Sequence, residues 1–492
     1  MTLNLPVACV WNFLNLNGIM SRKASRCVIL ILLAWAQSAG AETVVLFPSK
    51  TNTLIQVSGT DVQPLSNGRG DIYVGRTNQD GQGPATISIR RGLIAFDIAD
   101  NAPAGTTITG VTLNVDDVRG FNGNQTVSLY EMYRDWGQGT SYFDGGQGAA
   151  ATNGDATWFD TFYDAANPAA SPTWSAPGGE AGVDFNATAS AAALIIADNT
   201  SNTFSWSSTA SPAMLSDVQQ WLESPATNFG WIILGNESAG QTAKRFGGQY
   251  AVAPETPPQL TVQYAPTWIW TGGSGNGGWT TPGNWASGTG FPGSGAAIVL
   301  GSAQTTGGTV DLLSAGPIVS HLVFEGSHTI KVMSTAIGGG QLTLDNGSFP
   351  AAIIVSGSGN AIDATVAITL NSDAWIMTSG SSDSLSIAGD IGNGTAAHGM
   401  TKDGPGILVL SGSNSYTGGT NVDAGTLIAV SGTALPDGTS LTVGAGGTFI
   451  FDPSAAGSPV SNSAAAVAVP DPGTLALLIA GAALLVMYRK LR

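Results

Sequence analysis

Cysteine is nearly absent. The only two, Cys9 and Cys27, precede residue 42, so the rest of the chain has no disulfide, no thiol nucleophile and no cysteine-ligated zinc. Charge is scarce as well, at 10% of 492 residues, and positive charge is scarcest. Setting aside residues 1–41 and 470–492 leaves 11 Lys+Arg against 32 Asp+Glu, a net charge of −21. Between Thr267 and Val469 the only basic residues are Lys331 and Lys402. Such a body repels phosphate backbones, so nucleic acid is not an expected partner.

Signatures of catalysis are missing too. There is no G-x-S-x-G elbow, phosphate loop or HExxH, and the Gly-rich run Gly273–Gly278 precedes no helical pattern. A polysaccharide lyase needs a base and a group to neutralise a uronate. Residues 301–455 offer no Arg, two Lys and three scattered His: His321, His328 and His398. A glycosidase needs two converging carboxylates, whereas Asp373, Asp383, Asp390 and Asp403 are separated by turns. The expectation is a non-enzymatic protein. A polysaccharide-degrading lyase or glycosidase and a purely structural surface protein are the alternatives.

What is present is glycine, 67 residues, and 43% hydrophobic residues. That composition suits an all-β protein with many turns. Apolar/polar alternation marks strands in LIAFDI (Leu93–Ile98), ITGVTLNV (Ile108–Val115), TVSLYEM (Thr126–Met132) and QLTVQY (Gln259–Tyr264). One segment has helical spacing instead: Met214, Leu215, Val218, Trp221 and Leu222 within Ser211–Ser224. From Gly301 to Pro453, short apolar runs such as HLVF, QLTL, AIIV, VAITL and ILVL recur between Gly/Ser/Asn/Asp turns, as the rungs of a parallel β-helix would.

The ends read as addresses. From Met20, the expected start, Arg22, Lys23 and Arg26 precede an apolar run (Cys27–Ala36) and Ala39-Gly40-Ala41, the pattern of a signal peptide ending at residue 41. At the other end, an uncharged run from Thr474 to Tyr488 precedes Arg489, Lys490 and Arg492. It reads as a single transmembrane helix, short for a stable span, behind a helix-breaking Pro-Asp-Pro-Gly.

Three resemblances refine this outline. DIYVG (Asp71–Gly75), RRGLIAFDI (Arg90–Ile98), PAGTTITGVTLNV (Pro103–Val115), VSLYEMYRDWGQG (Val127–Gly139), DATW (Asp155–Trp158), TWSAPGGE (Thr173–Glu180), NFGWIIL (Asn228–Leu234) and PPQLTVQY (Pro257–Tyr264) follow one another as in a DNRLRE-type domain. That resemblance implies a secreted, jelly-roll-like β-sandwich related to carbohydrate-binding modules. The family's eponymous string is absent, and Gly247-Gly248 stand where a Ser-Arg-Glu-like run is common. KDGPGILVLSGSNSYTGGTNVDAGTLIAV (Lys402–Val430) resembles the autotransporter-associated β-strand repeat through Gly406, Leu408, Leu410, Asn414, Tyr416, Gly418, Gly419, Thr420, Gly425 and Leu427. Val469, Pro470, Asp471, Pro472 and Gly473 with the apolar run and basic end resemble a PEP-CTERM sorting signal, with Asp471 in place of the usual Glu. The resemblance implies transient residence in the inner membrane of a Gram-negative bacterium and cleavage by an exosortase; a permanent anchor is the alternative.

The expected architecture is thus a signal peptide (1–41), a jelly-roll-like sandwich (42–265), a Trp/Gly-rich linker or cap (266–300), and a right-handed parallel β-helix (301–455). An Ala/Ser linker (456–469) and the sorting signal (470–492) complete it. Polysaccharide is the expected partner. Trp136, Trp158 and Trp174, in Gly/Pro/Asp-rich loops, are the candidate glycan platforms, because flat indole faces suit pyranose C–H surfaces. Trp221 and Trp231 read as core. No cofactor is expected, although structural calcium is compatible with Asp116, Asp117, Asp155 and Asp160. Arg90-Arg91 read as partners for a carboxylate, and Arg69-Gly70-Asp71, an integrin-type tripeptide, as a turn.

Overall fold

The computed structural model describes residues 41–57, 63–77, 89–120, 123–196, 202–252, 255–301, 308–312, 316–331 and 340–455. The expected signal peptide up to residue 40, the linker after residue 455, the sorting motif (Val469, Pro470, Asp471, Pro472, Gly473) and the basic residues Arg489, Lys490 and Arg492 lie outside them. Among the described residues no helix is long and apolar enough to cross a membrane.

The first module is two antiparallel sheets around one core. In chain order its elements are β1 (Glu42–Leu46), β2 (Lys50–Ile55), β3 (Leu65–Ser66), β4 (Ile72–Arg76), β5 (Ile89–Ala95), β6 (Thr106–Gly120), β7 (Gln125–Glu131), β8 (Ala149–Ala150), β9 (Ala191–Ile195), β10 (Asn202–Ser207), α1 (Ala213–Glu223), β11 (Trp231–Leu234), β12 (Lys244–Phe246) and β13 (Gln259–Trp270). One sheet centres on the long β6, which pairs with β10, β12 and β13, with β1 outside β13. The other runs β2–β5–β11–β7–β9. β4 joins the two, pairing with both β12 and β5. The alternation read from ITGVTLNV is realised: Ile108, Val111, Leu113 and Val115 are buried against Ile94, Leu129 and Trp231. Helix α1 closes this core with Met214, Val218, Trp221 and Leu222, its Trp221 ring 4.6 Å from that of Trp231.

Packing α1 against β6 places Asp217 of the helix near Glu131 of β7, both out of solvent. Glu131 and Asp217 are each 6% exposed, and Trp231 Nε1 donates to Asp217 Oδ2 at 2.7 Å. Burial, then the negative charge of Asp217, raises Glu131 to about 7. The folded state therefore holds this proton more tightly than the unfolded chain, and stability falls as pH rises from about 4.5 through about 7. At about 1.4 kcal/mol per pH unit the loss reaches at most about 3 kcal/mol. Glu131→Gln is expected to flatten that part of the stability–pH curve; a curve of unchanged slope would refute the assignment.

The second module is a parallel solenoid of about six turns over residues 296–451. Its strands are β14 (Ala296–Leu300), β15 (Thr309–Asp311), β16 (Ile318–Glu325), β17 (Thr329–Lys331), β18 (Gly340–Leu344), β19 (Ala351–Ser356), β20 (Asn360–Ile362), β21 (Val366–Leu370), β22 (Ala374–Thr378), β23 (Ser384–Ile387), β24 (Ile391–Asn393), β25 (Met400–Asp403), β26 (Ile407–Leu410), β27 (Thr420–Ala429) and β28 (Leu441–Phe451). They form three parallel ladders. The first is β14–β16–β19–β22–β25–β27–β28 and the second β15–β17–β20–β23–β26–β27. The third is β16–β18–β21–β24. Each recurring apolar run supplies inward residues such as Leu322, Ile353, Ile376, Leu408 and Leu427, and no rung buries its core without its neighbours.

The modules share a strand rather than a linker. β13 pairs antiparallel with β6 up to Pro266, then from Thr267 stacks in parallel on β14. The Trp/Gly-rich segment is folded into the first coil, where Trp270, Trp279 and Trp285 pack edge to face and are at most 2% exposed. The junction is specific. A bulge opposite Gln263/Tyr264 frees the carbonyl of Thr109, and Asn346 Nδ2 donates to it at 2.6 Å. Gln263 Nε2 donates to Asn346 Oδ1 at 2.8 Å, and the Phe349 ring lies where a Cβ at Gly110 would stand.

Candidate functional site

The three candidate tryptophans are inside. Trp136, Trp158 and Trp174 are 0%, 6% and 4% exposed and belong to a second core on the outer face of the β2–β5–β11–β7 sheet, with Leu54, Leu93, Met132, Phe185 and Ile232. Trp136 Nε1 donates to Phe229 O at 2.8 Å and Trp174 Nε1 to Thr157 O at 2.9 Å. Lys50 Nζ lies 4.3 Å from the centroid of the Trp136 ring and the Arg91 guanidinium 5.2 Å from that of Trp158. The expectation of open indole platforms is therefore corrected. The excursion between β7 and β9 holds no Leu or Ile, so aromatic side chains, these indoles among them, are what it has with which to pack itself onto the sheet.

The basic pair, which lies within β5 rather than before it, is structural in the same sense. Arg91 holds Glu237 in a bidentate pair at 2.8 and 2.9 Å and donates to Gly178 O, while Arg90 Nε donates to Gly146 O at 2.6 Å. The four suggested calcium carboxylates do not converge. Asp116 accepts from the hydroxyls of Thr203 and Thr256 at 2.8 and 2.6 Å, Asp155 from Thr152 N at 2.6 Å, and Asp160 from Thr157 Oγ1 at 2.7 Å. Asp117 is buried on β6. Among the described residues no group of three His, Cys, Asp or Glu is placed to hold a metal ion.

Open aromatics occur elsewhere, on a surface formed by three loops of the sandwich. Tyr142, Phe143 and Tyr250 are 63%, 39% and 52% exposed, and Arg69 stacks over Tyr250 at 5.8 Å. The loops are locked to one another. Ser141 Oγ and O accept from Gly68 N and Arg69 N, Phe143 N donates to Asn67 Oδ1 at 2.8 Å, and Gln138 donates to Gly68 O and Gln249 Oε1. Beneath them Asn52 of β2 is the hub. Its Nδ2 donates to Gly137 O, Gln138 O and Ala156 O, and its Oδ1 accepts from Thr53 N, Ser66 Oγ and Asn67 N, all at 2.7–3.4 Å. At the rim, Arg245 pairs with Asp71, Asp144 and Glu255, and burial and these carboxylates push the neighbouring Tyr73 hydroxyl well above its ordinary value. Arg69-Gly70-Asp71 is a turn whose Asp71 is held by Arg245, which leaves that carboxylate 13% exposed. The surface thus offers flat apolar rings beside an exposed guanidinium and the exposed Asp144 carboxylate, on a rigid base.

The solenoid uses its repeat residues for construction. Leu408, Leu410, Tyr416 and Leu427 are fully buried, and Tyr416 Oη and Thr420 Oγ1 hydrogen-bond at 2.6 Å. Asn414 ties three rungs, accepting from Ile391 N at 2.8 Å and donating to Ala434 O at 2.6 Å. Gly419 and Gly425 turn corners at φ 89° and 68°, while Gly406 and Gly418 stand where a Cβ would meet neighbouring backbone atoms within 2.4 Å. Asp373, Asp383, Asp390 and Asp403 each accept from turn N–H groups of Gly399, Gly380, Ser413 and Gly404. One feature escapes the sequence pattern. Lys402 occupies the inward column between Ile376 and Val422, is fully buried, and donates to Thr378 Oγ1 and to the carbonyls of Asp403, Gly404 and Ala424.

That stretch decides the comparison. Residues 400–429 match the Passenger-associated-transport-repeat family. The match runs from β25 to the end of β27 and includes both Lys402 and Asn414. The protein is therefore a β-solenoid with a passenger-type repeat. No curated protein matches the chain.

Proposed function

We propose that this is an exported, non-enzymatic surface or matrix protein whose sandwich binds polysaccharide and whose solenoid serves as spacer. In this reading the sandwich has the jelly-roll order of a DNRLRE-type domain and the coil is right-handed. An exosortase acts at Val469–Gly473 after transient inner-membrane residence. The passenger-type repeat supports an extracellular or surface location, and so does the cysteine-free acidic body. The observation that carries the binding is the locked loop surface bearing Tyr142, Phe143 and Tyr250 beside Arg69 and Asp144. Exposed rings on a preorganised base lose little entropy on binding and suit the C–H faces of sugars.

Affinity electrophoresis against a panel of neutral and acidic polysaccharides tests this. The protein should be retarded by at least one, and Tyr142→Ala/Tyr250→Ala should weaken that retardation roughly 10–100-fold, about 1.4 kcal/mol for each tenfold, with unchanged melting. Retardation by none, or equal retardation of the variant, would sink the assignment. Release of reducing ends or unsaturated uronates would instead favour the enzymatic alternative.

A further inference from the structure

The two ends of the solenoid are unlike. At the first coil, β13 covers β14 and the Trp270–Trp279–Trp285 cluster fills the interior. At the last coil, β28 pairs with β27 and, among the described residues, with no other strand. Its sequence, LTVGAGGTFIF, holds no charge and no proline over 11 residues. Leu441, Val443 and Phe451 are 41%, 45% and 55% exposed, and a cleft of about 330 Å³ opens beside them between Leu435, Pro436, Phe449 and Phe451. A long edge strand without Lys, Pro or inward charge lacks the usual devices against pairing with another chain.

We propose that β28 is a self-association edge through which two copies of this chain join tail to tail. Charge points to this place: the body carries −21, so two copies repel each other over most of their surface, whereas β28 meets its like without an ionic penalty. Closure follows from the asymmetry of the ends. Among the described residues β14 of the Trp-filled first coil is covered by β13, whose Ile269 and Trp270 are bonded in turn to Ala286 and Trp285, so head-to-tail growth into a filament through β28 is blocked at that end. The remaining geometry is isologous: the two β28 strands pair antiparallel about a two-fold axis and the contact closes at a dimer. The sandwiches, each attached at the far end through β13, then face outward at opposite ends. Such a dimer presents two loop surfaces and gains avidity on a repeating polymer. The association itself does not depend on what the sandwich binds.

The test uses the full chain in mild detergent with Cys9→Ser and Cys27→Ser, so that a single introduced cysteine reports only on other copies. Ala445→Cys at the centre of β28 should give a covalent dimer with a short bismaleimide. Asn153→Cys, on an exposed turn of the sandwich, should not. In sedimentation velocity the parent should be dimeric and Val443→Asp monomeric, with unchanged circular dichroism. A monomeric parent, a β28 shielded by the protein's own residues beyond 455, or a dimer that survives Val443→Asp without cross-linking at 445 would each overturn the proposal.

Discussion

Asn52→Ala is expected to lower the stability of the sandwich by about 3–4 kcal/mol and to abolish polysaccharide retention. The side chain is 1% exposed and joins β2 to three separate loops through six hydrogen bonds. Alanine leaves buried donors at Thr53, Ser66 and Asn67 facing a void too small and too enclosed to hydrate them well. Asn52→Asp sharpens the expectation, because its shape is the same. It keeps the acceptor but points carboxylate oxygen at the carbonyls of Gly137, Gln138 and Ala156, so it should be no better than alanine. Urea unfolding followed by tryptophan fluorescence measures both. A loss below about 1 kcal/mol for either variant would contradict the hub role.

The second large effect lies in the solenoid. Lys402→Met should cost about 3 kcal/mol, although methionine is the closest apolar match in length. Desolvation lowers the pKa of Lys402 to about 8, still above neutrality, so the ammonium keeps three protons for four oxygen acceptors. Methionine fills the column but leaves the carbonyls of Asp403, Gly404 and Ala424 facing carbon at a corner of the coil. Rungs in a solenoid are stabilised mainly by their neighbours, so the damage should spread to β25–β28. Hydrogen exchange of the variant should show faster exchange over residues 400–451 with the sandwich unaffected. Uniform protection in both proteins would refute the role assigned to the lysine.

These two residues also show what the sequence could and could not reveal. Period-two runs such as Ile108–Val115 and the helical spacing of Met214, Val218 and Trp221 became the strands and helix they implied, because burial on one face leaves its period in the sequence. The repeat was legible for the same reason: Gly corners and inward Leu recur at fixed offsets. Burial of an indole carries no such period. Trp136, Trp158 and Trp174 sit among Gly, Pro and Asp, a composition that reads as exposed loop. Only the tertiary wrap of 132–190 over the β2–β5–β11–β7 sheet hides them. The open surface went unread because Tyr142, Phe143 and Tyr250 come from loops about a hundred residues apart, brought together by Asn52 and Gln138. Lys402 stood out in the sequence only as one of two basic residues in an acidic region. Its inward column follows from register with Ile376 and Val422, which only the stacked rungs define.

The measurement that bears most directly on the account is hydrogen–deuterium exchange of the full chain, with and without a polysaccharide that retards it. The account predicts slower exchange confined to residues 66–70, 138–148 and 245–252, with the solenoid unchanged. Protection along β14–β28 instead, or none in those three loops, would contradict it.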